Sequence, residues 1–196
     1  MWKPLEQGAV GNEPLLVGEV LLDAVRLIRT ETDRGTINLN SNASMPELVE
    51  QLARAGLDSM RVSLNSPRAP LYAAYYRPRG YDLAAVEASI AAMKRHGRRV
   101  SINYLVFPGV SDRADEIEAL SQLIDEIGID MVQMRNLSLD PILYLASLGV
   151  EGRGVGMLEM LRQHKRRFPQ LQYGYFNRTR ETFFPPGYAS EWPIQA

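Results

Sequence analysis

Four stretches of this sequence carry polar side chains at every second position, the spacing that puts residues on one face of a β-strand. Asn38, Asn40 and Asn42 alternate with Ile37 and Leu39. Arg61, Ser63 and Asn65 alternate with Met60, Val62 and Leu64. Ser101 and Asn103 alternate with Ile102 and Tyr104, and Gln133 and Arg135 with Val132 and Met134. A buried polar group left without a partner costs about 1–3 kcal/mol. If these faces converge inside the molecule, they require a hydrogen-bonding ligand or ordered water. A second candidate is Gly11-Asn12-Glu13-Pro14, which lies directly before a helical stretch. Glycine there lets the backbone approach a ligand closely, and free N–H groups beside a carboxylate suit a ligand's amino or carboxylate group. The same residues also read as an ordinary loop ahead of a proline-initiated helix.

The elements that position these residues repeat one pattern of amphipathic helix, glycine, then a β-branched or alternating run. Helices are predicted at Val17 to Thr30, Met45 to Ala55, Leu83 to Arg95, Ala114 to Glu126 and Gly156 to Arg167. Strands are predicted at Gly35 to Asn42, Ser59 to Asn65, Val100 to Val106, Asp130 to Leu137 and Gln172 to Asn177. Ser44 reads as the N-cap of its helix, with Pro46 in the first turn and Glu47 completing a capping box. Ser66 to Gly80 is the longest interior loop, with room for a short helical turn. Alternating strands and helices imply right-handed crossovers and a parallel sheet. A parallel sheet buried on both faces is apolar on both. Strands with one polar face therefore point to an α/β fold in which a TIM-like barrel, open or closed, has its helices outside and a polar lumen. Its ligand belongs at the C-terminal strand ends. The expected division is a barrel over 1–177 and an irregular tail over 178–196, rich in proline and aromatics, packed on it.

Composition removes several classes. With 22 Lys plus Arg against 23 Asp plus Glu, there is no charge footprint for nucleic acid or an anionic membrane. Apolar runs stop far short of the ~18 residues of a membrane span. No leader peptide is read at the start, because Lys3 and Glu6 run into glycine rather than an apolar core, and a cytoplasmic location is expected. Cysteine is absent, which excludes disulfides, a cysteine nucleophile and cysteine-ligated metal carried by this chain alone. Both histidines, His96 and His164, lie in basic helical stretches, so a histidine metal centre is not expected.

Taken in order, these segments resemble the radical S-adenosylmethionine (SAM) superfamily. Gly11-Asn12-Glu13-Pro14 resembles its Gly-Gly-Glu-Pro motif, with Asn12 in place of the second glycine. Ile37 to Ala43 is similar to the third strand, which usually ends Thr-Asn-Gly. Asp58 to Asn65 resembles the fourth strand, and Tyr75 to Tyr81 the following His-Asp-x-x-Arg-Gly segment, keeping Arg79 and Gly80 but not His-Asp. Val100 to Val106 and Met131 to Asn136 fit the fifth and sixth strands. The similarity runs from about Gly11 to Leu137 and rests on order and spacing. It implies a partial (β/α)6 barrel, a parallel sheet with helices outside, that binds SAM against a 4Fe–4S cluster, whose reductive cleavage yields a 5′-deoxyadenosyl radical.

Carried over by position, the resemblance implies that Gly11, Asn12 and Glu13 contact the methionine amino group. Ser63 and Arg79 would take the carboxylate or the ribose, with Arg77 in the same role if the loop register differs. Asn40 and Asn42 would approach SAM from the third strand, and Asn103 and Arg135 would face ribose or substrate. The plainer alternatives are surface ion pairs for Arg77 and Arg79, strand-end caps for Ser63 and Asn65, and a structural hydrogen bond for Asn38.

The family's cluster hangs on a Cys-x3-Cys-x2-Cys loop that this sequence lacks, so the chain by itself is expected to be inactive. Three readings follow. The chain is the C-terminal portion of a radical SAM enzyme, completed by an upstream segment or a partner chain bearing the cysteines. Alternatively it is a non-catalytic barrel binding a small molecule or a protein. The last is an unrelated α/β-barrel lyase, which Lys3, Lys94 and Lys165 are poorly placed to support as a Schiff-base enzyme. A missing first strand would leave an exposed edge at Thr36 to Asn42 or whatever precedes it, and the isolated chain is expected to be marginally stable or to self-associate there.

Overall fold

Helical apolar stripes and strand alternation both take the form their periods predict. In the computed structural model, which describes residues 13–150 and 152–174, a 3-10 turn at Pro14–Val17 leads into α1 (Gly18–Glu31) and β1 (Asn38–Ser41). There follow α2 (Pro46–Ala55), β2 (Ser59–Leu64), α3 (Ala69–Tyr76), α4 (Leu83–Arg95) and β3 (Arg99–Val106). The chain continues through α5 (Ala114–Ile127), β4 (Met131–Asn136), α6 (Pro141–Leu148), α7 (Met157–Arg167) and β5 (Gln172–Tyr173). The loop expected at 66–80 holds the two-turn helix α3. Helix α6 was not anticipated, although Asp140 and Pro141 announce it: Asp140 Oδ1 accepts from the N–H groups of Ile142 and Leu143, and Pro141 opens the first turn. The cap of α2 also differs from expectation. Met45 precedes the helix without a side-chain cap bond, and the Ser44 N–H donates to Asn42 Oδ1 at 3.0 Å.

All strand pairs are parallel and the spatial order is β1-β2-β3-β4-β5, the same as the chain order. Right-handed crossovers in an unbroken order keep the helices on one side and curl the sheet into a partial barrel. Leu39, Met60, Val62, Leu64, Val100 and Ile102 form the core on the helix side together with apolar residues of α1, α2, α4 and α5. Two aspartates fasten the base of the sheet. Asp58 takes the Ile37 N–H at 2.6 Å and pairs with Arg29 of α1. Asp130 takes the Val100 N–H at 2.8 Å and pairs with Lys94 of α4 at 2.7 Å. Among the described residues β1 has a strand neighbour on one side only. Beside it, the 3-10 turn exposes Leu16 and Val17, and α1 exposes Val20 and Leu27. No helix among the described residues is long and apolar enough to cross a membrane.

Candidate functional site

Parallel register turns the alternating strands into transverse rows on the face away from the helices. Asn40 pairs with Arg61, Arg61 with Ser101 and Ser101 with Met131, making one row. Ser63, Asn103 and Gln133 make the next, one step nearer the C-terminal ends, with Arg135 beyond it on β4. The polar residues thus lie together because each strand puts the same parity on the same face.

Their hydrogen bonds run along the face. Ser59 Oγ donates to Asn38 Oδ1 at 2.7 Å, and Asn38 Nδ2 donates to Asn40 Oδ1 at 3.1 Å. Arg135 Nε donates to Asn103 Oδ1 at 3.2 Å, and Arg99 Nη2 to Gln172 Oε1 at 2.9 Å. Gln133 is fully buried; its Nε2 meets only Met131 Sδ at 3.9 Å, and its Oε1 has no hydrogen-bond partner among the described residues. An orphaned buried amide of this kind marks a place where a ligand or water completes the bonding.

At the rim, Glu13 ties the entry segment to the end of β1. Its carboxylate accepts from Ser41 Oγ at 2.7 Å, from the Asn42 N–H at 2.7 Å and from the Leu15 N–H at 3.1 Å. This bonding holds Asn42 at the strand end and forces a sharp turn after it. Ala43 is left-handed at φ 57°, fully buried, with its carbonyl accepting from Ser89 Oγ at 2.7 Å. The left-handed position is the one that favours glycine.

The C-terminal ends of β2 and β4 lead into α3 and α6, which pack together around Leu71, Val110, Tyr144 and Leu148. Tyr75 meets Tyr144 edge-on at 5.7 Å between centroids, and Phe107 meets it at 5.0 Å. Behind this rim lies Glu116 of α5, fully buried, accepting from Ser66 Oγ at 3.0 Å and from the Tyr104 hydroxyl at 3.1 Å. Burial pushes its carboxyl up to about 7 against the pull of those two donors. Its hydrogen bonds join the loop after β2, strand β3 and α5.

Of the residues singled out from sequence, the structure brings Asn40, Ser63, Asn103 and Arg135 onto one face, with Glu13 and Asn42 at its rim. Arg77 closes α3 in the left-handed conformation, its N–H donating to the Ala73 carbonyl at 2.9 Å, and the side chains of Arg77 and Arg79 are exposed without a hydrogen bond or ion pair to a described residue. Gly11 and Asn12 lie outside the described residues, as do residues 175–196 and with them the expected tail. Arg61, Ser101 and Gln133 belong to the same face but were not assigned a site role from sequence; their strand parity was the available signal. His164 is buried against the Ile117 carbonyl at 3.3 Å, and burial lowers its pKa, so it serves the packing of α7 on α5. No group of three His, Asp or Glu residues that could hold a metal ion occurs among the described residues.

Comparison with known proteins agrees with this architecture. The radical SAM superfamily model matches residues 9–124. The probable dual-specificity RNA methyltransferase RlmN of Thermosynechococcus vestitus is 29% identical over 117 residues, which is 58% of this chain and 35% of that protein. The probable GTP 3′,8-cyclase of Aeropyrum pernix is 30% identical over 124 residues, 62% of this chain and 32% of that protein. The matched part therefore spans about a third of the length of either relative. In fold, the chain is similar to a domain of pyruvate-formate lyase-activating enzyme from Bacteroides vulgatus, with a TM-score of 0.60, 12% identity, and coverage of 85% of this chain and 96% of that domain.

Proposed function

Because this chain belongs to the radical SAM superfamily, we propose that it forms the SAM-binding part of a radical SAM enzyme and supplies the polar chamber in which the cofactor and substrate lie. The observation that carries this reading is the convergence of Asn40, Ser63, Asn103 and Arg135 on the open face of a partial barrel, with the Glu13-anchored turn at its rim. Arg135, steadied by Asn103, suits a charge-assisted bond to a carboxylate. Ser63 and the Asn40 amide suit a carboxylate or ribose hydroxyls. Gly11 and Asn12 would complete the amino-group contact, and Arg77 and Arg79 would swing from the α3 rim to the methionine carboxylate.

The superfamily's 4Fe–4S cluster does not fit this chain. It needs thiolates, and the sequence contains no cysteine. The radical-generating step is therefore assigned to a complex with a Cys-x3-Cys-x2-Cys polypeptide outside this sequence, upstream or on a partner chain. Among the described residues, the β1 edge and the exposed Val20 and Leu27 of α1 are the surfaces suited to it. The same lack of cysteine favours, as the second reading, a barrel that binds its ligand without turnover.

Calorimetric titration with SAM tests the first reading. Binding is expected, with Arg135→Ala, Ser63→Ala and Asn40→Ala each weakening it severalfold and Arg77→Ala and Arg79→Ala reporting on the rim. Absence of SAM binding, or indifference of all five variants, overturns the assignment. Adding a cysteine-bearing partner under reducing conditions and assaying 5′-deoxyadenosine separates the two readings.

A further inference from the structure

Helix α6 has no polar face. Its residues are Pro141-Ile142-Leu143-Tyr144-Leu145-Ala146-Ser147-Leu148, without a charge, and Ser147 and the Tyr144 hydroxyl are its only polar side-chain groups. A helix apolar all round belongs in a protein interior. Among the described residues, however, α6 buries only Tyr144 and Leu148, one stripe that packs with Leu71 and Val110. Ile142 is 79% exposed and Leu143 58%, with Leu145 and Ala146 also outward. The next helix, α7, shows the contrast: it turns Arg162, Lys165, Arg166 and Arg167 to solvent. A contiguous apolar face on so short a helix marks a surface that something covers.

The occupant is argued from where the described chain ends. Strand β5 runs parallel to β4 with Tyr173 level with Val132, so it points toward the end of the sheet at which β4 feeds α6. Val132 and Asp140 are about eight residues apart, and at ~3.3 Å per extended residue a comparable length beyond Tyr173 reaches α6 at about residue 181. Residues 182–190, Thr-Phe-Phe-Pro-Pro-Gly-Tyr-Ala-Ser, come next and carry no charge, matching α6. Pro185 and Pro186 have no N–H to desolvate, which lowers the cost of laying this segment on an apolar helix. Covalent attachment gives it a high effective concentration that a separate copy lacks. We propose that residues 182–190 dock on the outer face of α6, with Phe183 and Phe184 against Ile142, Leu143 and Leu145.

Limited trypsin digestion of the full chain, read by mass spectrometry, tests this at Arg178 and Arg180, just ahead of the segment. Trypsin needs extended chain on both sides of the bond it cuts, so a seated segment slows both cuts, and the rate follows the released population. Slow cleavage is expected in the parent. Ile142→Asp changes a side chain that the described fold leaves outward, and it should speed cleavage about tenfold. Phe183→Ser with Phe184→Ser should do the same, and adding Ile142→Asp to that pair should speed it no further. Because the chain has no cysteine, position can be read directly. Leu143→Cys with Phe184→Cys should form an intrachain disulfide on mild oxidation, and Arg95→Cys with Phe184→Cys, on the distant surface of α4, should not. Rapid cleavage of the parent, or a rate unmoved by the variants at both ends of the contact, overturns the proposal. So does a Leu143→Cys with Phe184→Cys link found only between chains, which would assign the face to a second copy.

Discussion

The two faces of the sheet handle polarity in opposite ways. On the helix side Met60, Val62, Val100 and Ile102 are sealed, and the charged groups admitted, carboxylates and the Arg98 guanidinium alike, have partners built in. Asp58 has Arg29 and the Ile37 N–H, and Glu116 has Ser66 and Tyr104. On the open side the charges are guanidiniums, the neutral groups are amides and hydroxyls, and bonding is left incomplete at Gln133. A sealed face favours settling its polar groups within the fold, because an unpaired one is costly there. An open face can defer that bonding to a ligand. The same strand serves both ends by alternating one residue at a time.

Substitutions on the two faces should therefore differ in kind. The largest expected effect is at the base of the sealed side. Asp58→Ala strands Arg29 and the Ile37 N–H, and breaking such a buried pair costs about 3–5 kcal/mol, measurable by urea unfolding. Next comes the neighbouring pair Ile102 and Asn103. Ile102→Ala should cost about 2–4 kcal/mol through the cavity it leaves, whereas Asn103→Ala should cost about 1 kcal/mol or less and act on ligand binding instead. Equal losses of stability would erase the distinction between the faces.

Glu116 sharpens the comparison through pH. Its carboxyl is raised from 4.5 to about 7 in the folded chain, with burial as the first cause. A raised acid favours the protonated folded state. Its contribution is thus complete below about pH 4.5 and is lost as pH rises through about 7, at a slope of up to about 1.4 kcal/mol per pH unit. Arg68, Asp115 and Tyr104 surround it, with Arg68 opposing the shift and Asp115 adding to it. Melting temperatures across pH 5–8 should show the decline in the parent and its disappearance in Glu116→Gln. An unchanged slope in the variant would move the cause elsewhere.

The smallest effect is expected at the rim. Ala43 holds a left-handed backbone conformation, so Ala43→Gly should be neutral or stabilise by up to about 1 kcal/mol, the reverse of the usual cost of glycine. A clear loss of stability would mean that the Ala43 methyl, fully buried in the core cluster, outweighs the relief.

Much of this was readable before any coordinates. Period-two alternation at 37–42, 59–65, 100–106 and 131–136 identified both faces, because side-chain direction along a strand depends only on parity. Helix α6 went unread because its apolar run, Ile142 to Leu148, is short and nearly continuous, although Asp140 and Pro141 supplied the start signal. The expected cap at Ser44 gives way to Met45 at the helix start, with the Ser44 N–H donating to Asn42.

Residue order alone thus determined the α/β alternation, the two-sided strands and the lack of any thiolate for a metal cluster, since each follows from local pattern or composition. Only the folded chain decided that Arg61 lies beside Ser101 and Asn40, that Asn103 spends its oxygen on Arg135, and that Gln133 is left wanting a partner. Those facts depend on strand register and on contacts between residues tens of positions apart, which no local pattern encodes.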